Sequence, residues 1–289
     1  MIYEKDIKED IKLLGSLRNL VEIYGEIASV RMKKIRNFVL TNRDFLNAIN
    51  DIFQAVLASY AAKVAALVKQ GKLERGSKVT FLPHNGKTVA VLISANTGFY
   101  GELVPISFKH FIDNIRKQDV EVTIIGRLGL SLFREQESKR PYTYFDFPDY
   151  GVDEAKLAVI TAHLVEYDEI HVYYGKYQSV VTQKPTMFSI SAGTKVSEEV
   201  KAPTVAYIFE PTMEKILMFF ETEIFASLFD QAVRESQLAK FASRILAMDR
   251  AGENIRNSLK EINLVKLRLT HRMVNRKQLN SLSTVLYIK

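Results

Sequence analysis

The first seventy residues repeat apolar side chains at intervals of three and four positions. Between residues 4 and about 70 there is no proline, and Gly15 and Gly25 are the only glycines. This spacing predicts one long helix, and the narrow stripe is typical of a coiled-coil seam. The glycines and charges of KQGKLERGSK end it. The stripe comprises Ile7, Ile11, Leu14, Leu17, Val21, Tyr24, Ala28, Met32 and Ile35, and it resumes at Ile49, Ile52, Val56 and Tyr60.

The middle of the chain, from residue 78 to about 208, changes to short β-branched runs that alternate with helical spacing. This alternation predicts a small α/β domain of the Rossmann-like kind. The strands are predicted in KVTFLP, KTVAVLISA, VEVTIIG and VAYIFEP, with two more around a Gly-Lys turn in DEIHVYYGKYQSVVTQKPTMFSIS. The helices are predicted in LVPISFKHFIDNIRKQ, LGLSLFREQE and VDEAKLAVITAHLVEY, the last opened by Asp153.

The last segment, from residue 211 to about 283, again has helical periodicity, with no proline after Pro211 and one glycine, Gly252. Some 70 helical residues would extend about 105 Å, which one globular core cannot cover. The helix therefore needs a second long element, and the first segment supplies it. We predict a long antiparallel coiled coil of the two chain ends (residues 1–72 and 209–289) with the α/β domain (residues 73–208) inserted between them.

One stretch of the last helix, RILAMDRAGENI, collects small residues where bulky ones would be ordinary. Ala247, Ala251 and Gly252, together with Met248, are predicted to pack against the partner helix and to keep the rod slim. An ordinary close helix crossing explains the same residues equally well.

The amino-acid composition limits the kinds of site and of protein that the chain can be. The chain has no cysteine among its 289 residues, so disulfides, thiolate metal sites and thiol catalysis are excluded. No signal peptide and no run of about 18 apolar residues occurs, so we expect no membrane span. The net charge of +7 is compatible with an acidic partner, although a basic surface has many other uses.

The candidate chemistry is sparse. NGKT at 85–88 lacks the earlier glycine and the following helix of a phosphate loop, so a hairpin turn is favoured. Gly98 and Gly101 form a strand-to-helix turn that could cradle a phosphate, although such a turn needs glycine with no ligand at all. The five histidines are scattered without metal-ligand spacing. We therefore expect no catalytic residue, no metal and no cofactor.

Basic residues cluster on both long segments. RMKKIR places Arg31, Lys33 and Lys34 close together, and residues 261–289 hold six basic residues against one acid. A solvated helix face and contact with acidic protein loops both fit this pattern. Nucleic acid is disfavoured because aromatic side chains are not interleaved with the bases.

Five stretches in order resemble one family, the gamma subunits of rotary F-type ATP synthases, over nearly the whole chain. The glycine turn is similar to the family's Ser-Asp-x-Gly-Leu-Cys-Gly, and ASVRMKKIRN to its Ala-Ala-x-Lys-hydrophobic-Arg-Arg. The stretches are ASVRMKKIRN (28–37), SANTGFYGEL (94–103), DEIHVYYGKYQSVVTQKPT (168–186), YIFEP (207–211) and ESQLAKFASRILAMDRAGENI (235–255).

The resemblance implies the central rotor shaft inside a hexamer of alternating alpha and beta subunits. The α/β domain would lie at the foot, near the c-subunit ring of the membrane and a small epsilon-type subunit. The shaft would have no active site of its own; its orientation would bias which catalytic interface is open. The complex would be a proton- or sodium-transporting ATPase, with the shaft peripheral to the membrane on the cytoplasmic face, or on the matrix side in an organelle.

The resemblance also selects candidate contact residues. Arg244 is the strongest match for a contact with acidic loops of the beta subunits, and Lys266 is the second. Arg244 and Asn254 are expected to face outward. The full set for the hexamer is Arg31, Lys33, Lys34, Arg244, Asn254 and Lys266.

The chain departs from the family pattern at several positions. These are Asn96 for Asp and Tyr100 for Cys in the glycine turn, Leu17, Arg18 and Asn19 for Thr-Gln-Lys, Tyr24 for Met, Leu238, Ala239 and Lys240 for Ala-Ser-Glu, and Leu267 for Gln in the tail. Two alternatives therefore stay open: the shaft of a specialised F-type-like ATPase not devoted to ATP synthesis, and a coiled-coil adaptor that recruits a partner through its α/β domain.

Overall fold

A computed structural model describes residues 2–69, 85–191 and 213–286 of the chain. The chain divides into two compact units, one formed by residues 1–29 with 244–289 and the other by residues 30–243. Helix α1 spans Ile2–Lys69 and helix α5 spans Met213–Leu286, as the apolar periodicity predicts. The predicted domain boundaries at 72/73 and 208/209 lie outside the described residues and stay predictions.

Between the long helices the second unit holds a five-stranded sheet. Its elements are β1 (Thr88–Ile93), α2 (Leu103–Ile115), β2 (Glu121–Ile125), α3 (Arg127–Gln136), β3 (Thr143–Phe145), α4 (Glu154–Val165), β4 (Glu169–Tyr177) and β5 (Gln183–Ser191). The strand order is β3-β2-β1-β4-β5, and only β5 is antiparallel to its neighbour. The α/β prediction is confirmed.

Strand β1 shows why the sheet has two covered faces. Its side chains alternate with a period of two. Val89 and Val91 pack with α4 and with Phe225 and Phe229 of α5. Leu92, one position on, packs on the opposite face with α2 and α3. Helix α5 is therefore one of the layers that cover the sheet within this unit.

Two local features differ from the sequence prediction. Strand β3 was not predicted. The predicted Gly-Lys turn is wrong, because β4 continues through Gly175 to Tyr177 and the chain turns at residues 178–182. A Cβ at Gly175 would lie 2.8 Å from Leu103 Cδ1, so glycine is required there by the close approach of α2. The strands predicted at KVTFLP (78–83) and VAYIFEP (205–211) lie wholly outside the described residues and stay predictions.

The long helices contact each other in both units, and in the first unit they run antiparallel. In the first unit a Cβ on Gly25 would meet Met248 Cβ at 3.6 Å, and one on Gly252 would meet Val21 Cγ1 at 3.9 Å. In the second unit Asn42 Nδ2 donates a hydrogen bond to Gln231 Oε1 at 2.8 Å. In the first unit, ascending positions on α1 therefore face descending positions on α5.

Candidate functional site

A row of buried polar side chains on α5 fastens the long helices to the sheet of the second unit. We call this row the polar clamp; it consists of Gln231, Glu235, Gln237, Lys240 and Ser243. Buried polar groups need partners, because leaving water without a replacement hydrogen bond costs free energy. Each clamp residue finds its partner outside α5.

Lys240 reaches the carboxyl end of the parallel strands. Its Nζ donates to the Ser94 carbonyl at 2.8 Å and lies 3.5 Å from Asp149 Oδ1. The side chains of Lys240 and Asp149 are 5% and 9% exposed, so this is a buried ion pair. Burial alone would raise the pKa of Asp149, but the Lys240 ammonium and hydrogen bonds from Thr97 and Asn96 outweigh burial and hold the pKa below its usual value.

The Asp149 carboxylate also organises the glycine turn. It accepts the backbone N–H groups of Asn96 at 2.9 Å and Thr97 at 2.8 Å, and the Thr97 hydroxyl at 2.7 Å. Ligands of open α/β sheets bind at this edge, where backbone N–H groups are available to an anion. In this chain those two donors are bonded to an internal carboxylate, which satisfies the turn with no ligand.

Asn96 closes the same turn from the other side. Its Nδ2 donates to the Phe147 carbonyl at 2.8 Å, and its Oδ1 accepts the Arg127 N–H at 2.9 Å. Gly101 has a positive φ of 55°, and the neighbouring Phe99 also has a positive φ, 68°, although it is not glycine. Gly98 has no atom within 4 Å of an added Cβ. The turn prediction thus coincides with a turn whose conformation is held largely by side chains.

The remaining clamp residues join α5 to α1, to β4 and to the loops before α2 and α4. Glu235 forms an ion pair with Arg43 of α1 and accepts the Tyr174 hydroxyl at 3.3 Å. Gln237 Nε2 donates to the Gly151 carbonyl at 2.7 Å, and Ser243 Oγ donates to the Tyr100 carbonyl at 2.7 Å. Burial, followed by the Glu235 charge, raises the pKa of Tyr174, so this hydroxyl remains a hydrogen-bond donor at neutral pH.

The predicted contact residues of the second unit fall into two groups. Lys33 and Lys34 are exposed. Arg31 is only partly exposed, and its guanidinium lies 4.7 Å from the ring centroid of Tyr150 and 5.9 Å from that of Phe241. Arg31 therefore makes cation–π contacts inside its own unit.

Side-chain exposure in the first unit tests the positions predicted for the small-residue stretch and for the contact residues near it. Arg244 is only 4% exposed, so the expectation that its side chain faces outward is wrong. Asn254 and Lys266 are exposed. Met248 and Gly252 are buried, while Ala247 and Ala251 are half-buried. Because the nearest atom to a Cβ on Gly252 would be 3.9 Å away, alanine also fits, and the helix contact does not require glycine.

Within the described ranges, no group of three or more His, Cys, Asp or Glu side chains could hold a metal ion. Among the same residues, no helix combines the length and the apolar character needed to cross a bilayer.

The comparisons with known proteins agree with this architecture. A family model described as ATP synthase matches residues 4–269. The chain belongs to the ATP synthase gamma family. Its relatives include the ATP synthase gamma chain of Pseudarthrobacter chlorophenolicus, 26% identical over 277 residues and 88% of each chain, and that of Desulforamulus reducens, 23% identical over 279 residues and 91% of each chain.

Solved structures show the same fold at low identity. The central stalk and c-ring structure of the Tetrahymena thermophila mitochondrial ATP synthase contains a chain that aligns with a TM-score of 0.58 at 15% identity, over 80% of this chain and 99% of that one. A chain of the Euglena gracilis mitochondrial ATP synthase aligns with a TM-score of 0.54 at 13% identity, over 89% and 94%.

Two of the residues described above depart from the ATP synthase gamma family pattern. Lys240 stands where the family pattern has Glu, and Asn96 stands where it has Asp. A lysine at position 240 needs an internal acid, and Asp149 provides it. The motif spacing flagged Lys240 and Asn96 as departures, but no sequence signal marked Asp149, which is 91 residues away from Lys240.

Proposed function

We propose that this chain is the central rotor shaft of a rotary F-type ATP synthase. It couples rotation of a membrane ring to the nucleotide state of an alpha/beta catalytic hexamer. The chain is a non-catalytic subunit, and the ATPase sites belong to its partners. The observation that supports this role most directly is the surface of the helical pair in the first unit.

The last turns of α5 on that surface are exposed to water. With Val21 opposite Gly252 and 1.5 Å of rise per residue in both helices, the start of α1 lies opposite a position near residue 271 of α5. Helix α5 runs on to Leu286, and every side chain from 270 to 282 is exposed. Single helices of this length are marginal in water, because helices in proteins are stabilised mainly by packing of an apolar face. The terminal turns of α5 therefore require enclosing protein.

The enclosing partner is the hexamer of alpha and beta subunits. Lys33, Lys34, Asn254 and Lys266 have exposed side chains and are proposed to contact it. Arg244 is proposed to act from a buried position, by fixing the shape of the rod surface, rather than as an outward charge. Because the helical pair is asymmetric, it contacts each surrounding subunit differently, and its orientation favours one nucleotide state at each interface.

The polar clamp explains how torque passes through the second unit. A shaft that turns with its α/β domain needs connections that resist sliding, and directional hydrogen bonds resist sliding better than apolar contact alone. Lys240, Gln237 and Ser243 connect α5 to three backbone carbonyls of the domain, two in the turn after β1 and one in the loop before α4. The domain is proposed to contact a c-subunit ring and an epsilon-type subunit, with the complex on the cytoplasmic or matrix face of a membrane that transports protons or sodium ions.

Co-purification tests the proposal. The tagged chain, expressed with its complex, should recover two nucleotide-binding subunits in threefold excess each, while the chain purified alone should show no ATPase activity. Lys266→Gln should weaken recovery at low salt, because exposed ionic contacts are screened by salt. Lys139→Gln, an exposed lysine of the α/β domain, is the matched control. Recovery of a single partner without nucleotide-binding subunits would instead support a coiled-coil adaptor, and a hexamer that hydrolyses ATP without coupling to an ion-transporting membrane ring would support a specialised ATPase shaft.

A further inference from the structure

A small cavity lies in the second unit, where the carboxyl end of β1 meets helices α2 and α5. Its walls are the end of β1, the first two turns of α2, Gly175 of β4 and the face of α5 that carries Lys240. The centre of a water molecule can occupy about 10 Å³ in it, which is close to the space that a single bound water requires. The cavity therefore has room for one water molecule and is too small for a metabolite or a nucleotide.

Two buried serine hydroxyls belong to the wall of this cavity. Ser94 and Ser107 are 7% and 6% exposed. Among the described residues, neither Oγ has a hydrogen-bond partner. A hydroxyl that loses water on burial and gains no partner destabilises the fold, so buried hydroxyls are almost always bonded to protein or to an ordered water. The two serines therefore indicate a polar occupant of the cavity.

The helices around the cavity pack closely on the sheet. A Cβ on Gly129 of α3 would lie 2.9 Å from Ser94 Oγ, and a Cβ on Gly175 would lie 2.8 Å from Leu103 Cδ1 of α2. Glycine at both positions permits this approach. Because the packing is close on both sides, the cavity is a bounded space beside the two serines and not a consequence of loosely packed helices.

The charges at the cavity favour a neutral occupant. The Lys240 ammonium donates to the Ser94 carbonyl at 2.8 Å and lies 3.5 Å from Asp149 Oδ1, so its charge is balanced within the protein. A bound cation would face this ammonium, and a bound anion would add a further buried charge, which is costly to desolvate. Water carries no net charge, and it both donates and accepts hydrogen bonds.

We propose that the cavity is a hydration site that holds one ordered water molecule, bonded to Ser94 Oγ and Ser107 Oγ beside the Lys240 ammonium. A buried water forms about three hydrogen bonds, and these three side chains offer them. The water joins α2 to the end of β1 at the point where Lys240 attaches α5, so it extends the polar clamp to a further helix. The site depends on the fold of the second unit alone and is independent of the proposed function.

A high-resolution crystal structure of the full-length chain tests the site directly. We expect one density peak about 2.8 Å from both serine Oγ atoms. Crystals grown with bromide in place of chloride identify the occupant, because bromide gives an anomalous signal at its absorption edge and water does not. An anomalous peak in the cavity would show a halide ion and refute the proposal. An empty cavity, or serine hydroxyls bonded to protein groups, would refute it as well.

The variant Ser107→Ala gives a test in solution whose sign separates a hydrated cavity from a dry one. Removing a hydroxyl that bonds to water loses that bond, whereas removing an unpaired buried hydroxyl stabilises the fold. Ser131→Ala, at an exposed serine of α3, is the matched control because it makes the same change in helix propensity. Relative to this control, Ser107→Ala should raise the unfolding equilibrium constant about 5-fold in urea.

An unfolding constant for Ser107→Ala equal to or below that of Ser131→Ala would overturn the hydration site. Crystals of Ser107→Ala provide a second check, since the density peak should weaken or move away from residue 107. A peak of unchanged position and occupancy would contradict the hydrogen bond assigned to Ser107.

Discussion

Replacing Lys240 with methionine tests the central contact of the polar clamp. Methionine keeps most of the length of the side chain but removes the ammonium, so Asp149 is left as a buried carboxylate without its countercharge. The Ser94 carbonyl loses its donor at 2.8 Å in the same change. Both effects lower the free energy of unfolding.

The expected size of the loss in stability depends on the hydrogen bonds that Asp149 retains. Removing one member of a buried pair typically costs about 3–5 kcal/mol. In Lys240→Met, however, the carboxylate still accepts three hydrogen bonds from Asn96 and Thr97. We therefore expect a loss of about 2–3 kcal/mol. The double variant with Asp149→Asn should recover about 1–2 kcal/mol as coupling between the two sites.

The stability difference between the wild type and Lys240→Met should decrease as the pH falls. Because the folded pKa of Asp149 is depressed, the stabilisation from the pair is present at neutral pH. It is lost as the pH falls through that lowered pKa, below the usual aspartate value of about 3.9. The difference between the wild type and Lys240→Met should therefore shrink in acid, where Asp149 is protonated in both proteins.

Urea unfolding of the isolated chain, followed by circular dichroism, measures this free energy. Lys156→Met is the control, because Lys156 forms an exposed ion pair with Asp146 at 3.7 Å and should change stability by less than about 0.5 kcal/mol. A Lys240→Met variant as stable as this control, or a difference that grows in acid, would refute the role assigned to the pair.

Four further substitutions give defined outcomes in the same unfolding assay. Gly126→Ala should cost more than about 2 kcal/mol, because its Cβ would lie 2.8 Å from a backbone nitrogen at a φ of 100°, whereas Gly98→Ala, with no atom within 4 Å, should be nearly neutral. Gly252→Ala should raise stability by about 1 kcal/mol, and a loss would show that the helix crossing needs glycine after all. Glu235→Gln should cost about 2 kcal/mol by weakening the contact with Arg43, and an unchanged midpoint would contradict that contact.

The elements that the sequence predicted well are those whose signal repeats locally. The two long helices follow from apolar spacing sustained over many turns, and β1, β2 and α4 follow from short patterns bounded by turn and cap residues. The Asp153 cap, for example, accepts the Lys156 N–H at 3.1 Å, as its position before the helix predicts. Strand β3 was missed because three residues carry too little periodicity to register.

The residues that the sequence misassigned depend on distant partners. Gly175 suggested a turn. In the structure, glycine is needed there because the Leu103 side chain lies so close, and α2 brings Leu103 over β4 only when the sheet has formed. Arg244 suggested an outward charge, yet it is buried. A local pattern specifies the type of side chain at a position, while the direction and surroundings of that side chain are set by packing.

The sequence by itself determined the helix–α/β–helix plan, the gamma family and the basic character of the shaft, because periodicity and motif order are properties of neighbouring residues. The tertiary structure alone decided that Lys240 meets Asp149 across 91 residues and that this carboxylate occupies the glycine turn. These contacts are long-range, and the low-dielectric interior that makes the ion pair strong exists only after the chain has folded.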